Sequence, residues 1–214
     1  MSLKSISSCL LSSIFILCVL NTTAQTQLNK KNVFAKFSID TFLLQELKQA
    51  QTNSESFFSL PDFGFWNVIM GEEAKSFKNN KDIILFLDTS QTYFEVECDC
   101  MIKKDTIYIQ GGFAYGAGAG FDVRITKDLF SGSIWLAGDK YETSTSSNLD
   151  EEIFLKTIHQ TLNLQNKKSL KRNGIIAGKI IMESENFFDK EKKVSDKLFM
   201  KLLFTCELDD VIVL

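Results

Sequence analysis

The sequence predicts a mainly β protein: an antiparallel meander that forms a barrel or a sandwich, with one or two short helices. From Tyr93 to Ala137, apolar and polar residues alternate in several consecutive runs, which is the pattern of half-buried strands. Short polar turns separate these runs, so successive strands are expected to pair antiparallel. A glycine-rich stretch at residues 111–120 and Asn173-Gly174 indicate further chain reversals.

The most regular run covers residues 93–101, where an apolar face that includes Val96, Cys98 and Cys100 alternates with carboxylates. Similar runs follow at 106–110, 121–126 and 133–137, and two later strands are expected at 175–183 and 197–208. The compact apolar run Ile83 to Leu87 is interpreted as one more strand, after a polar stretch with at most one helical turn.

Two segments show helical spacing. Asp40 is a plausible N-cap for a helix that ends near Ala50. Residues 150–164 fit two structures: Ile153, Ile158 and Leu162 have helical spacing, whereas the residues from Ile158 to Leu164 also alternate as in a strand. The capping pattern ahead of this segment favours the helix.

The first 24 residues have the features of a secretory signal peptide. Lys4 supplies a positive charge, a serine-interrupted apolar run follows, and small residues up to Ala24 suit a signal peptidase, so Gln25 would start the exported protein. The apolar run is short for a membrane-spanning helix. We therefore expect residues 1–24 to be a signal peptide, residues 25–214 to be one mainly β domain, and the protein to be secreted or periplasmic, with no transmembrane segment after cleavage.

Charge and cysteine content limit the partners. The formal net charge is −3, which argues against nucleic acid as the partner. Cys98, Cys100 and Cys206 remain after signal cleavage, and in an oxidising compartment Cys206 is expected to pair with Cys98 or Cys100, or all three stay as buried thiols. A closed zinc site needs four ligands, and the chain has one histidine, so no metal ligand is assigned.

The glycine-rich stretch is the most unusual segment. It is followed by an alternating strand pattern, and it lacks the helix and the Gly-Lys-Ser/Thr sequence of a phosphate-binding loop. No cofactor is therefore expected. The stretch is either a hairpin or curved barrel corner, or a loop that contacts a ligand. The residues assigned to ligand contact are Gly111, Gly112, Tyr115, Gly118, Trp66 and Phe65.

Gly64-Phe65-Trp66 resembles the Gly-x-Trp motif that opens the first strand of lipocalins, which are eight-stranded barrels that hold small apolar ligands. The resemblance covers these three residues, and the Thr-Asp-x-x-Tyr motif of that family is absent. It implies a calycin-like barrel as the architecture, without membership of the family.

Catalysis has little support in the sequence. His159 lacks a nucleophile signature around it, and the carboxylates Glu95, Glu97 and Asp99 form the pattern of a solvent face. No catalytic residue is assigned, and whether the protein is an enzyme stays open. The favoured function is an exported, non-catalytic binding protein that holds a small apolar ligand within the β fold. The alternatives are an envelope-associated protein–protein interaction module or an unrecognised hydrolase.

Overall fold

Eight antiparallel strands close into a barrel in the computed structural model, which describes residues 34–53, 63–90, 94–115, 117–138, 140–143 and 152–210. The barrel order is β3 (Phe63–Met70), β4 (Phe94–Lys103), β5 (Thr106–Tyr115), β6 (Ala117–Thr126), β7 (Leu129–Ala137), β9 (Glu152–Leu164), β10 (Ile175–Ser184) and β13 (Leu198–Glu207). β13 pairs with β3 and closes the ring. The predicted antiparallel β class is confirmed, and among the predicted architectures the structure is a barrel.

The interior of the barrel is a continuous apolar core, because alternate residues of every strand point inward. Large buried side chains come from opposite walls, among them Phe121 on β6, Phe130 on β7 and Phe204 on β13. We call the end where β3 begins and β4 ends the lower end, and the opposite end the upper end.

The N-terminal arm fills a gap in the wall at the lower end. β7 pairs with β9 only through Ser133–Ala137, because β9 then leaves β7 to pair with β10. In the gap, β1 (Ala35–Lys36) pairs with β7 and β2 (Ser38–Ile39) pairs with β9. Phe37 between them packs against the barrel core.

A small second sheet lies at the upper end. It contains β8 (Tyr141–Glu142), β11 (Phe187–Asp189) and β12 (Val194–Asp196). The rings of Tyr141 and Phe187 meet edge to face at 5.5 Å and join the barrel core. The remaining strand, β14 (Asp209–Asp210), pairs in parallel with β4 at the lower end.

Helices cover the outer wall of β3, β13 and β10. Helix α1 (Leu43–Asn53) buries Leu43, Leu47 and Ala50 against Phe65 and Leu203. The short helix α2 (Gly71–Lys75) leads to α3 (Asn80–Thr89), which packs on a neighbouring patch of the same wall. Asp40 accepts a hydrogen bond from the backbone N–H of Phe42 at 2.9 Å, consistent with its predicted capping role.

The prediction of a strand at Ile83 to Leu87 was wrong, because these residues belong to α3. Asn79 caps the helix by accepting hydrogen bonds from the backbone N–H groups of Lys81 and Asp82. Ile83 and Leu87 share the buried face at a spacing of four, while Leu85 between them is exposed. The sequence therefore held both a cap and a helical period that the compact apolar run concealed.

The favoured helix within residues 150–164 was also wrong, because residues 152–164 form strand β9. The pairing register with β10 shifts between Thr157 and His159, so two successive residues, Ile158 and His159, both face outward. Such a β-bulge reverses the alternation, which places Ile153 and Leu162 on the same inward face although they are nine positions apart. This broken period produced the helical spacing in the sequence.

The glycine-rich stretch forms the ends of β5 and β6, which pair continuously from Gly111 with Phe121 to Tyr115 with Ala117. Gly116 lies outside the described residues, as do residues 1–33, which include the predicted signal peptide. Within the part of the chain that the structure describes, none of the helices has the length and apolar character needed to cross a membrane.

Candidate functional site

At the upper rim between β3 and β6, the apolar interior meets the surface. Val68 and Met70 on β3 and Ala119 on β6 pack against the core but are only partly buried. Phe94 at the start of β4 is 67% exposed. The rim residues Val68, Met70, Phe94 and Ala119 are the candidate site.

Phe94 belongs to the inward face of its strand, so its exposure results from its position at the rim. The register pairs Gly64 with Val96 and Trp66 with Phe94, and two-residue steps along β4 keep Phe94 on the face of buried Val96 and Cys98. A large aromatic ring is therefore presented to solvent on the side of the wall that elsewhere forms the core.

The small upper sheet covers the other side of the rim. Tyr141, Phe187 and Leu198 are buried there against the barrel core. The loop around Asp196 and Lys192 reaches Gly71, whose positive φ of 64° starts α2. Among the described residues at the upper end, the partly buried side chains that face the barrel interior therefore belong to strands between β3 and β6.

Below the rim the interior is occupied by side chains. A Cβ at Gly178 would overlap the ring of Phe204, and a Cβ at Gly111 would overlap the backbone carbonyl oxygen of Glu97 and lie 2.9 Å from the ring of Phe121. These two glycines therefore make room for core phenylalanines. A ligand at the rim would consequently contact the upper edge of a packed core.

The structure distributes the residues predicted to contact a ligand among several environments. Gly111 faces the interior, whereas Gly112 faces outward beneath Trp135. Gly118 pairs with Ala114 and Ala137 in the upper part of the wall. Phe65 is fully buried on the outer wall beneath α1. The side chains of Trp66 and Tyr115 lie outside the described ones; the backbone of Trp66 pairs with Phe94 at the rim.

Trp135 covers a glycine-lined part of the outer wall. A Cβ at Gly112 or Gly120 would overlap its indole ring, so the ring lies against the two backbones. Asp122 lies two residues from Gly120 along β6 and pairs with Ser133 of β7. Burial raises the pKa of the Asp122 carboxyl; Arg124 opposes this shift and Glu152 adds to it.

The residues considered for hydrolysis are not brought together. His159 is exposed at the bulge of β9. Glu95, Glu97 and Asp99 lie on the outward face of β4, which is separated from β9 by β5, β6 and β7 in the barrel order. Among the described residues, no three His, Cys, Asp or Glu side chains are grouped closely enough to hold a metal ion.

A disulfide joins Cys100 on β4 to Cys206 on β13, with 5.8 Å between the Cα atoms. β3 lies between β4 and β13 in the sheet, and its first residue is Phe63. Phe63 pairs with Thr205 of β13 on one side and with Glu97 of β4 on the other. The disulfide therefore connects two strands just below the point where β3 starts. Cys98 is a buried thiol on the same face of β4.

A charge cluster beneath the helices was missed from the sequence. The Lys201 ammonium is fully buried and donates to Glu46 of α1 at 2.8 Å and to the backbone carbonyl of Asp88 in α3 at 2.8 Å. Lys179 pairs with Glu46 at 3.1 Å and with Asp88 at 2.9 Å. The available signal was a single lysine within the apolar run from Leu198 to Phe204.

The pKa values of these two lysines shift in opposite directions. Burial lowers the pKa of Lys201, although the hydrogen bond to Glu46 favours its charged form. For Lys179, burial also favours the neutral amine, but the carboxylates of Asp88 and Glu46 together hold its pKa above the usual range. The cluster fixes both helices to one patch of the barrel wall.

No protein-family model, curated protein or solved structure matches this chain.

Proposed function

We propose that the protein is an exported, non-catalytic binding protein that holds a small apolar ligand at the upper rim of its barrel. The observation that carries the proposal is Phe94: an aromatic side chain on the inward face of β4 that is 67% exposed. Exposed apolar area at the end of an apolar core gains free energy when a ligand removes it from water.

The packed interior limits the kind of ligand. Phe121 and Phe204 occupy the space below the rim, so a shallow ligand that lies across Phe94, Val68 and Met70 fits better than one enclosed in the barrel. The rim residues Val68, Met70, Phe94 and Ala119 all have apolar side chains. The ligand part that contacts the rim is therefore uncharged, because an unpaired buried charge is costly.

The test is binding of an apolar fluorescent dye, followed by displacement with uncharged apolar compounds. Phe94→Ser should weaken dye binding by about fivefold, the effect expected from losing about 1 kcal/mol of apolar contact. Phe154→Ser is the matched control: Phe154 is 46% exposed on the outward face of β9, paired with Trp135. Equal dye affinity in wild type and Phe94→Ser, or an equal loss in the control, would reject the rim as the site.

A second candidate, the protein–protein interaction module, is favoured by the lower end. Several exposed apolar side chains belong to strand starts or to the arm at that end: Phe34, Ile39, Phe42, Leu129 and Ile175. Phe42 is 76% exposed. An exposed apolar patch on a protein surface marks an interaction site, and these side chains would contribute to one.

A photo-crosslinking amino acid at position 42 tests the second candidate in cells that export the protein. A discrete crosslinked product at position 42, absent when the same amino acid replaces Phe154, supports a protein partner at the lower end. If position 42 yields only the uncrosslinked protein, the interaction module loses its support, and the rim proposal is unaffected.

A further inference from the structure

Three cysteines lie together near the lower end of the barrel. The disulfide uses Cys100 and Cys206, and Cys98 precedes Cys100 by two residues on the same inward face of β4. All three side chains are at least 94% buried in one apolar cluster. The binding function proposed above uses none of them.

The strand registers place Cys206 level with Cys98. Thr205 pairs with Phe63, and Phe63 pairs with Glu97, so these three residues form one row across the sheet. Cys206 follows Thr205 and Cys98 follows Glu97, which places the two cysteines at the same level. The parallel pairing of β14 gives the same alignment, because Asp209 lies beside Met101 and three residues back on both strands are Cys206 and Cys98. Cys206 nevertheless bonds to Cys100.

The Cys98 sulfur also lies over β3, the strand between β4 and β13. A Cβ at Gly64 would be 2.7 Å from Cys98 Sγ and 2.9 Å from Leu202 Cδ1 of β13. Gly64 is thus the position that lets this thiol reach across toward the β13 side. Both the register and the sulfur position bring Cys98 toward Cys206.

We propose that Cys98 is an exchange partner for the Cys100–Cys206 disulfide, so that the protein has two interchangeable crosslinks between β4 and β13. Cys98 loses its proton, and its thiolate attacks Cys206 Sγ. A Cys98–Cys206 bond forms as the Cys100–Cys206 bond breaks, and the electron pair leaves on Cys100, which takes up a proton. The step has no net oxidation and needs no external oxidant or reductant.

The exchange would move the crosslink by two residues along β4. In one state it holds β4 at Cys100, beside the Met101–Asp209 pairing. In the other state it holds β4 at Cys98, beside Gly64 and the start of β3. The lower end therefore has two covalent states, which interconvert at a rate set by the fraction of thiolate.

Disulfide mapping of the purified protein tests the proposal. Cleavage before aspartate separates the cysteines into fragments 88–98, 99–104 and 196–208, so the two linkages give different crosslinked masses. Samples are held at about pH 5 or about pH 8.5, the ordinary thiol pKa, and then unfolded and alkylated at about pH 5, where exchange is slow. We expect both linkages in the basic sample, whereas the acidic sample, in which exchange is slow, keeps the proportions present at purification. Finding Cys100–Cys206 alone in both samples would overturn the proposal.

Two variants give a matched comparison. Under the same mild oxidation, Cys100→Ala should form Cys98–Cys206 in most molecules, and Cys98→Ala should form Cys100–Cys206. Cys100→Ala molecules that keep two alkylatable thiols would contradict the exchange. If Cys100→Ala does not fold, the wild-type mapping decides alone.

Discussion

Lys201 shows how a single residue can position two helices. Its buried ammonium contacts Glu46 of α1 and the carbonyl of Asp88 near the C-terminal end of α3, where a positive charge also favours the helix dipole. Removing one partner of a buried ion pair leaves an uncompensated charge, whereas an apolar replacement of similar shape avoids that cost.

Glu46→Gln should therefore destabilise the protein by about 3 kcal/mol, because the buried Lys201 ammonium loses the carboxylate that favours its charged form. Lys201→Met should cost less, since Glu46 still pairs with Lys179. Urea unfolding near neutral pH measures both. A larger loss for Lys201→Met than for Glu46→Gln would show that the lysine is needed for more than neutralisation.

Asp122 predicts a pH dependence of stability. Burial raises its pKa in the folded protein, so its protonated form contributes stability below the unfolded pKa of about 3.8, and that contribution is lost as the pH rises through the folded value. Asp122→Asn has no such titration. The free energy of unfolding of Asp122→Asn, relative to that of the wild type, should thus increase from acidic to neutral pH. A difference between the two proteins that does not change with pH would contradict the assignment to Asp122.

At the scale of elements, the bulge in β9 decides which residues enter the core. The strand runs inward at Ile153 and Leu155, places Ile158 and His159 outward, and returns to the interior at Leu162 and Leu164. At the same point Gln160 accepts a hydrogen bond from the backbone N–H of Gly132 at 2.7 Å, which supplies a partner to β7 where β9 turns away.

Deleting Thr161, which lies beyond the bulge, should prevent correct folding, because one residue fewer moves Leu162 and Leu164 to the solvent side of β9. Ile158→Ser keeps the spacing, and since Ile158 is 56% exposed, its stability should stay within about 0.5 kcal/mol of wild type. Near-ultraviolet circular dichroism and urea unfolding distinguish the two. Native spectra for the deletion would show that the register can be reset elsewhere.

The sequence predicts elements that are regular and misses those that are not. The alternating runs in β4, β6 and β7 identified these strands because their two-residue period is unbroken. The bulge at Ile158-His159 broke the period of β9 and imitated a helix, and the apolar helix face of α3 imitated a strand. Asn79, a good N-cap, was the residue that could have corrected the second error.

The site was less predictable than the strands. The inward register of Phe94 follows from the alternation of β4, but its exposure depends on where the strand ends at the rim and on which side the small upper sheet covers. The partners of Lys201 come from residues 46 and 88, and only the packing of α1 and α3 on one wall brings them together. Sequence periodicity contains no information about such contacts between distant segments.

At the scale of the whole molecule, the leader and the cysteines make a joint prediction. Protein exported by cells should begin at Gln25 and contain one disulfide. The same chain made without its leader in a reducing cytosol should contain three thiols and lose about 4–5 kcal/mol of stability, given the 106 residues that separate Cys100 from Cys206. Intact mass and urea unfolding test this. An exported protein that retains residues 1–24 would contradict the predicted cleavage.

The closure of the barrel by β3 and β13 also determines when the fold can be completed. These two paired strands, Phe63–Met70 and Leu198–Glu207, are the first and last strands of the barrel along the chain. Every other pair in the barrel joins strands that follow one another in the barrel order. A chain that emerges from its N-terminus can build the sheet from β3 to β10 in sequence, but that sheet keeps two open edges, and open edges invite pairing with other chains. Arrival of β13, the last ten residues of the ring, is therefore the event that ends this vulnerable period. We expect a chain interrupted before Leu198 to aggregate even though most of its strands are present.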